Sequence, residues 1–566
     1  MKNKRLVRAL SGALALTLVL SGTPIARPAS AAQGVPDWVQ TGTGVASSAI
    51  RAQSQLPSKF DLRERGVVTP VKNQGSWGTC WTFGVSAAAE TSILSSMGTT
   101  YEKYKAATGT ALDLSERHLA YFAMTPVSRE QDGEQAGEGL NVFGSDFFAN
   151  APFTGGKFCY ATSLFASGAG PTLEAEHPYR GDRSLTDGEV YQQLVDHEEQ
   201  EKGPNGMVEW DLRRQAAMNL MTFEDYLASE IRTYGSREAV YNHHYDELRE
   251  GYRKVAGATG VTYSTLCDWS IPQRDANGAF NRNHTAGWVL KDGNVLTGSA
   301  SQPSIDQIKA ELYEGRGVAV GFHADQSLAG QEKSERYINS KTWAHYTFEK
   351  VQMNHAVCIV GWDDDYSRDN FHHTVYDKDP KTGAYTVNEA LTAMTTPPGD
   401  GAWIVKNSWG SETEAGPDEL GKVVNEGDWG IPDANGRHTG YFYLSYYDKA
   451  IEDPESFEFT TDLAGQGRFY TALHDYLPAE KYYQDASDGV MSSANVFETG
   501  EEAVSLKSLS TSTPAPGQNV DFAVYLLAND AKDPTDGTLA WRGSAQFEYA
   551  GFHRFDLDVA IDLPKR

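Results

Sequence analysis

A cysteine at the start of an alanine-rich run constrains this chain more than any other feature. Cys80 opens the run, and Gln74 precedes it by six residues. In a helix, the unsatisfied N–H groups and partial positive charge of the N-terminus favour a thiolate, so a lowered pKa is expected for Cys80. The Gln74 amide and the Cys80 N–H could together hold an oxyanion during acyl transfer. The pattern predicts a thiol nucleophile.

Four segments together resemble papain-like cysteine peptidases. They are 56–72, 73–84, 354–362 and 402–410. A thiolate needs a base, and the base needs an orienting group. The resemblance implies that His355 is the base, that Asn407 orients it, and that Trp409 covers their hydrogen bond from water. It also implies that Gln74 belongs to the catalytic set with Cys80.

The same resemblance assigns residues that contact substrate. Two adjacent glycines match the wall that pairs with the substrate backbone, where only glycine permits such close approach. Asn354 is expected to offer its carbonyl to a substrate N–H group. A plain turn is the alternative for the glycine pair. The predicted substrate-binding residues are Gly155, Gly156, Trp81, Asn354 and Trp409.

The spacing of the motifs departs from the family. His355 and Asn407 follow Cys80 by 275 and 327 residues, whereas about 130–150 is usual. Family-like landmarks run to 174–179 and resume at 303–323, so 181–292 is predicted to be a largely helical insertion. Within it, Thr222 and Asp225 would cap a helix. Control of substrate access and a surface ornament both remain open as its role.

A disulfide typical of the family is absent. Its first cysteine would lie three residues before Cys80, where this chain has Trp77, and its partner segment reads Phe-Thr-Gly-Gly at 153–156. The chain has only four cysteines, which are Cys80, Cys159, Cys267 and Cys358. So few cysteines in an exported protein favour a bacterial origin.

The resemblance implies a two-lobed α+β fold with the cleft between the lobes. The helical lobe is expected at 56–180 and the β-rich lobe at 293–452. Alternating apolar residues in 555–563 predict strands, so 453–566 is expected to form a β-sandwich. Its position resembles the lectin-like domain of some bacterial papain-like proteins, and we expect the natural sandwich to continue further.

The N-terminus has the pattern of a secretory signal peptide over 1–31, followed by a linker or short pro-segment at 32–55. Removing 1–31, with five basic and no acidic residues, takes the formal net charge from −27 to −32. Such acidity argues against nucleic-acid partners and anionic lipid surfaces. The apolar run is too short to span a bilayer, so no transmembrane segment is expected. The protein is predicted to be secreted or associated with the cell surface.

The predicted function is a secreted cysteine peptidase that forms a thioester with peptide or protein substrates, with endopeptidase action as the default. The alternative is a surface adhesin, in which the sandwich binds a glycan or protein and the peptidase lobes serve as scaffold. An intracellular aminopeptidase of the same group is disfavoured by the leader. No cofactor or metal site is expected, because paired Cys-x-x-Cys and His-Glu-x-x-His motifs are missing. The acidic runs 363–365 and 377–379 leave calcium binding open.

Overall fold

A computed structural model describes most of the two expected lobes and parts of the flanking regions. Trp77, Thr154, Cys267, most of the expected insertion and most of 32–55 lie outside the described residues. The described residues are 13–21, 40–41, 56–75, 78–124, 155–179, 208–209, 212–213, 215–216, 221–245, 271, 287–297, 304–325, 332–379, 381–417, 423–461, 491–498, 503–528, 531–532 and 534–563.

Helices dominate the first half of the described chain. The α-helices are α1 (Cys80–Ser96), α2 (Tyr101–Thr108), α3 (Glu116–Met124), α4 (Phe158–Ala166), α5 (Phe223–Tyr234), α6 (Ile305–Tyr313) and α7 (Glu389–Thr392). Short 3-10 turns cover Glu332–Ser334 and Arg368–Phe371. Helix α1 is buried continuously from Trp81 to Leu94, as expected for a helix that is apolar or small on every face.

Strands dominate the second half. They are β1 (Ala13–Ser21), β2 (Gln40–Thr41), β3 (Lys59–Asp61), β4 (Trp288–Val295), β5 (Val318–Phe322), β6 (Ile338–Asn339), β7 (Ala344–His345), β8 (His355–Asp363), β9 (Tyr376–Lys378), β10 (Tyr385–Val387), β11 (Ala402–Lys406), β12 (Gly416–Pro417), β13 (Val423–Val424), β14 (Tyr441–Ser445), β15 (Glu452–Thr461), β16 (Met491–Glu498), β17 (Val504–Thr513), β18 (Gln518–Leu527), β19 (Thr538–Phe547) and β20 (Ala550–Leu563).

One large sheet forms the centre of the molecule. Its strand order is β17, β20, β4, β15, β5, β8, β11, β14, β7 and β6, and β3 also pairs with β8. Helix α1 packs across β15, β5 and β8. At Gly84, an added Cβ would lie 3.1 Å from the Val357 carbonyl oxygen, so glycine permits the close approach of α1 to β8. This approach brings the start of α1 near the start of β8.

The expected α+β fold is confirmed. Helices α1 to α4 form one lobe, and the strands around β5, β8, β11 and β14 form the other. The two lobes meet along α1, whose buried residues share a single apolar core with β8 and β11. Cys80 therefore enters the junction from the helical lobe, and His355 enters it from the β-rich lobe.

Two domain boundaries differ from the expected ones. Strand β4 extends across the boundary expected at 292–293, and β15 extends across the one expected at 452–453. Strand β15 lies inside the central sheet between β4 and β5. Its Phe457 and Phe459 pack edge-on against Phe165 of α4. The buried face of β15 therefore belongs to the apolar core shared by the two lobes.

The C-terminal region is a two-sheet assembly around a second apolar core. One sheet has the order β16, β1, β18, β19 and β2, and it packs on the β17–β20 pair. Strand β20 also pairs with β4, which joins this region to the central sheet. Strand β1 falls within the predicted leader, and its backbone pairs with β16 and β18. The leader itself stays a prediction.

Part of the expected insertion is helical. Helix α5 begins as predicted after Thr222, whose side chain accepts the N–H of Asp225, and it ends at Gly235 in a left-handed conformation. Leu227 is buried in a small apolar cluster with Val208 and other side chains of this segment. Among the described helices, none is long and apolar enough to cross a bilayer.

Candidate active site

Cys80 is the first residue of α1, and its sulfur lies at the start of β8. The backbone N–H groups of Ala356, Trp81 and Cys80 itself contact the sulfur. Ala356 directly follows His355 in β8, so the structure brings together the predicted nucleophile and the strand of the predicted base. Cys80 is partly exposed, and no disulfide involves it.

His355 is held by two residues of a distant segment. Its Nε2 lies 2.8 Å from Oδ1 of Asn407, which also accepts the Ser408 N–H at 2.8 Å. Because this oxygen can only accept, Nε2 of His355 carries the proton, which leaves Nδ1 as the basic nitrogen. The Trp409 ring stacks on the imidazole, with centroids 4.7 Å apart. Trp409 therefore covers one face of the ring that Asn407 orients.

Burial shifts the pKa of both reacting groups toward their uncharged forms. Burial raises the pKa of the Cys80 thiol to about 11, and the three backbone N–H groups oppose this only in part. The helix N-terminus led us to expect a lowered pKa for the Cys80 thiol. While His355 is uncharged, that expectation is wrong, because burial raises the pKa instead. Burial lowers the pKa of His355 to about 4, and its hydrogen bond to Asn407 acts in the opposite direction. Proton transfer from Cys80 to His355 would create opposite charges, and their attraction would offset both shifts.

Gln74 is buried and anchored by the segment that also carries Asn407. The Ser408 hydroxyl donates to Oε1 of Gln74 at 2.6 Å, and the Gln74 backbone N–H donates to the Ser408 carbonyl at 2.8 Å. Because Oε1 of Gln74 faces Ser408, the NH₂ group of the Gln74 amide points away from Ser408. Sequence reasoning missed Ser408. Its position between Asn407 and Trp409 was the available signal.

The expected substrate wall has a structural partner. An added Cβ on Gly156 would lie 2.4 Å from Cε2 of Trp81, so the indole occupies the space beside this glycine. Trp81 is only 1% exposed. Its side chain therefore packs beside Gly156, and direct contact between Trp81 and a substrate stays a prediction. Gly155 has a φ of 94°, and an added Cβ there would meet no atom within 4 Å, consistent with close approach of another backbone.

Asn354 is exposed and fixed by its side chain. Its Oδ1 accepts the Ala324 N–H at 2.7 Å, and its Nδ2 donates to the Ala324 carbonyl at 3.2 Å. Its backbone N–H donates to the Phe322 carbonyl at 3.1 Å. These contacts fix the residue immediately before His355 at the end of β5.

A buried charge cluster lies beside the segments that carry Gln74 and Asn407. Lys72, two residues before Gln74, forms ion pairs with Glu90 of α1 at 3.0 Å and Glu116 of α3 at 2.8 Å. Lys406, adjacent to Asn407, donates to the Thr69 hydroxyl, which in turn donates to Glu90. The pKa of Glu90 is lowered by these two lysines against the effect of burial. Among the described residues, no group of three or more His, Cys, Asp or Glu side chains could hold a metal ion.

Comparison with known proteins agrees with this geometry. Residues 56–119 match a family model described as papain family cysteine protease. The chain is 33% identical over 126 residues to Probable cysteine protease RD19B of Arabidopsis thaliana, covering 22% of this chain and 28% of that protein. It is 37% identical over 89 residues to procathepsin L of Rattus norvegicus, covering 16% of this chain and 22% of that protein. The papain-like resemblance is confirmed, although the chain spans about a quarter of the length of these curated relatives.

The chain is also similar to a solved structure of the cysteine protease and lectin-like domains of Cwp84, a surface layer associated protein of Clostridium difficile. The identity is 18%, the match covers 93% of this chain and 75% of that chain, and the TM-score is 0.43. A second similar structure is that of the bromelain protease from Ananas comosus in complex with the E64 inhibitor. It shares 14% identity, covers 71% of this chain and 99% of that chain, and has a TM-score of 0.27.

Proposed function

We propose that this chain is a cysteine peptidase that hydrolyses peptide bonds through Cys80. The observation that carries the proposal is the hydrogen bond between His355 and Asn407, from which the tautomer of His355 follows. Oδ1 of Asn407 accepts a hydrogen bond from Nε2 of His355 at an N···O distance of 2.8 Å, and the Cys80 sulfur lies at the N–H of the residue that follows His355. A basic nitrogen is thus kept available on the residue next to the one whose N–H contacts the thiol, and covalent catalysis by cysteine requires such a base.

The first half of the reaction forms an acyl-enzyme. His355 Nδ1 takes the thiol proton as the Cys80 sulfur attacks the scissile carbonyl carbon, which forms the C–S bond. The resulting oxyanion accepts hydrogen bonds from the Cys80 N–H and the Gln74 NH₂ group. When the C–N bond breaks, His355 returns its proton to the leaving amine, and a thioester remains on Cys80.

The second half returns the free enzyme. His355 Nδ1 accepts a proton from water as the water oxygen attacks the thioester carbonyl carbon. The same two donors hold the second oxyanion, and the C–S bond then breaks. The sulfur leaves as a thiolate and takes the proton back from His355. Asn407 and Trp409 keep the imidazole in one orientation through both steps.

Peptide or protein substrates, endopeptidase action and an extracellular or cell-surface location are further parts of this proposal. They are supported by the family resemblance and by the leader-like composition of 1–31. The pairing of β20 with β4 favours a single catalytic unit over an adhesin whose sandwich acts separately from the lobes. We propose no cofactor, because cysteine, imidazole and amide groups supply every step above.

The direct test is hydrolysis of a mixed library of fluorogenic peptides by the full chain and by its Cys80→Ala variant. The proposal expects cleavage by the unaltered protein and loss of cleavage by at least about 10³-fold in the variant, because the nucleophile is gone. Cys358→Ala is the control, because it removes a second free thiol, which is buried and lies outside the site. Equal cleavage by the Cys80→Ala protein would overturn the proposal.

A further inference from the structure

We infer that Tyr179 is a positioning residue that links Gln74 to Thr79, the two described ends of what we call the oxyanion-binding segment. Its hydroxyl donates to the Gln74 backbone carbonyl at 2.9 Å and also contacts the Thr79 hydroxyl. Tyr179 lies at the C-terminal end of the segment that forms the helical lobe, about a hundred residues from Gln74 and Thr79 along the chain. The inference rests on the proposed function, because it concerns how that site holds its oxyanion.

The two contacts have defined directions. A tyrosine has one hydroxyl hydrogen, and here it is given to the Gln74 carbonyl. The Thr79 hydroxyl must therefore donate to the Tyr179 oxygen. One hydroxyl thus joins the first residue of the oxyanion-binding segment to its last. The Gln74 amide belongs to the first residue, and the Cys80 N–H directly follows the last, so both oxyanion donors depend on this segment.

The conformation of Thr79 supports a dedicated role. Thr79 occupies the N-cap position of α1, yet its side chain makes no capping hydrogen bond to the first turn. Threonine at such a position usually accepts an N–H group of the helix. Here its hydroxyl is directed to Tyr179 instead. The first turn of α1, where Cys80 lies, therefore lacks the capping hydrogen bond from Thr79. The Thr79 hydroxyl instead bonds to Tyr179, a residue distant in the chain.

The surroundings make these hydrogen bonds costly to lose. Tyr179 is 6% exposed and Thr79 is fully buried, and a buried polar group left without a partner is destabilising. Phe83, one turn into α1, packs edge-on against the Tyr179 ring with centroids 4.9 Å apart. The Tyr179 backbone N–H donates to the Glu174 carboxylate at 2.6 Å. Ring and backbone are therefore both fixed, and the hydroxyl has a defined position.

The sequence gives this contact particular importance. The family's cysteine three residues before the nucleophile is replaced by Trp77, so the disulfide typical of the family cannot form at this position. The Tyr179 hydroxyl instead links Gln74 and Thr79, the described residues on either side of that position. Because a hydrogen bond can be removed by deleting one oxygen, this arrangement can be tested without deleting a larger group.

The test compares three reactions in Tyr179→Phe and Thr79→Val variants of the full chain. Both changes remove a hydroxyl and keep most of the side-chain volume. Peptide hydrolysis and affinity for a peptide aldehyde depend on the oxyanion donors, whereas alkylation of Cys80 by chloroacetamide forms no oxyanion. We expect kcat and aldehyde affinity each to fall about 10-fold, while KM and the alkylation rate change less than about 2-fold.

Two comparisons separate positioning from general damage. The double variant should lose no more than either single variant, because both remove the same link. Thr79→Ser, which keeps the hydroxyl, should lose less than Thr79→Val. Tyr346→Phe is the matched control, because Tyr346 is equally buried but packs in a satellite core with Phe348 and Phe371.

Three results would overturn the inference while leaving the proposed function intact. The first is unchanged kcat and aldehyde affinity in folded Tyr179→Phe and Thr79→Val proteins. The second is an alkylation rate that falls in parallel with kcat, which would indicate general disruption of the site. The third is additive losses in the double variant. Absence of hydrolysis by the unaltered protein would instead count against the proposed function itself.

Discussion

The Ser408 hydroxyl donates to Oε1 of Gln74 at 2.6 Å, across 334 residues of chain. This single contact fixes which end of the Gln74 amide can serve as a hydrogen-bond donor in the cleft. Ser408 also donates its N–H to Oδ1 of Asn407 at 2.8 Å. One residue thus orients both the oxyanion donor and the group that orients the base.

Replacing Ser408 by alanine should therefore weaken catalysis more than binding. Without the hydroxyl, the Gln74 amide is free to rotate, and we expect kcat to fall about 10-fold with a small change in KM. Steady-state hydrolysis of a peptide substrate provides the measurement. Ser445→Ala is the control, because Ser445 is equally buried at the end of β14, away from the cleft. Equal kcat values in the two variants would contradict the role given to Ser408.

Replacing Asn407 by alanine should reduce kcat by about 10- to 100-fold, because the His355 ring loses the contact that fixes its tautomer. The Trp409 ring still covers the imidazole, so some activity should remain. Asn339→Ala is the comparison, since the buried Asn339 amide donates to the Asn370 and His372 carbonyls outside the site. If kcat falls equally in both variants, loss of stability rather than loss of orientation is the cause.

The pH dependence of Cys80 alkylation tests the proton transfer to His355. In a His355→Gln variant the buried thiol has no base, and its raised pKa predicts alkylation that increases only in the alkaline range. The unaltered protein should already react near neutral pH, because His355 accepts the proton. Rates of iodoacetamide adduct formation between about pH 5 and pH 10 distinguish the two profiles. Identical profiles would exclude His355 as the base.

Glu455 provides a prediction about stability rather than activity. Glu455 is 4% exposed, and its carboxyl accepts a hydrogen bond from the Thr162 hydroxyl. Burial raises the pKa of this carboxyl to about 7. Between its unfolded and folded pKa values the native state binds more protons than the unfolded state, so stability falls as pH rises through this range. Full ionisation above pH 7 costs up to about 3 kcal/mol.

A Glu455→Gln variant should remove this cost because glutamine does not ionise. Near pH 5 we expect similar urea midpoints for the variant and the unaltered protein, and near about pH 8 a higher midpoint for the variant. Glu64→Gln, at an exposed position, serves as the control. If the difference in urea midpoint between the Glu455→Gln variant and the unaltered protein is the same at every pH, Glu455 does not titrate in this range.

The residues of the candidate site that sequence predicted were those within local motifs. Cys80, His355, Asn407, Gln74 and Trp409 lie in short segments whose residue types and order indicate their chemistry, and the structure brings all five together. The residues that sequence missed act through partners distant in the chain. Ser408 reaches Gln74 across one such distance, and Tyr179 reaches the same residue across another.

The domain boundaries were missed for a related reason. The apolar alternation in β15 predicts a strand with one buried face, but it does not specify which core that face joins. Phe457 and Phe459 join the core of the lobes, and β20 connects the C-terminal sheets to β4. The direction of the Cys80 pKa shift was also missed, because burial of the thiol is a property of the assembled lobes.

The most direct measurement is the intact mass of the protein after incubation with an epoxide inhibitor that reacts with papain-like cysteine sites. Three free cysteines lie in the described residues, namely Cys80, Cys159 and Cys358. The account predicts one adduct, located on Cys80, that is absent in the Cys80→Ala variant and strongly slowed in the His355→Gln variant. A folded protein that forms no adduct, or that is modified equally when Cys80 is replaced, would contradict the central claim.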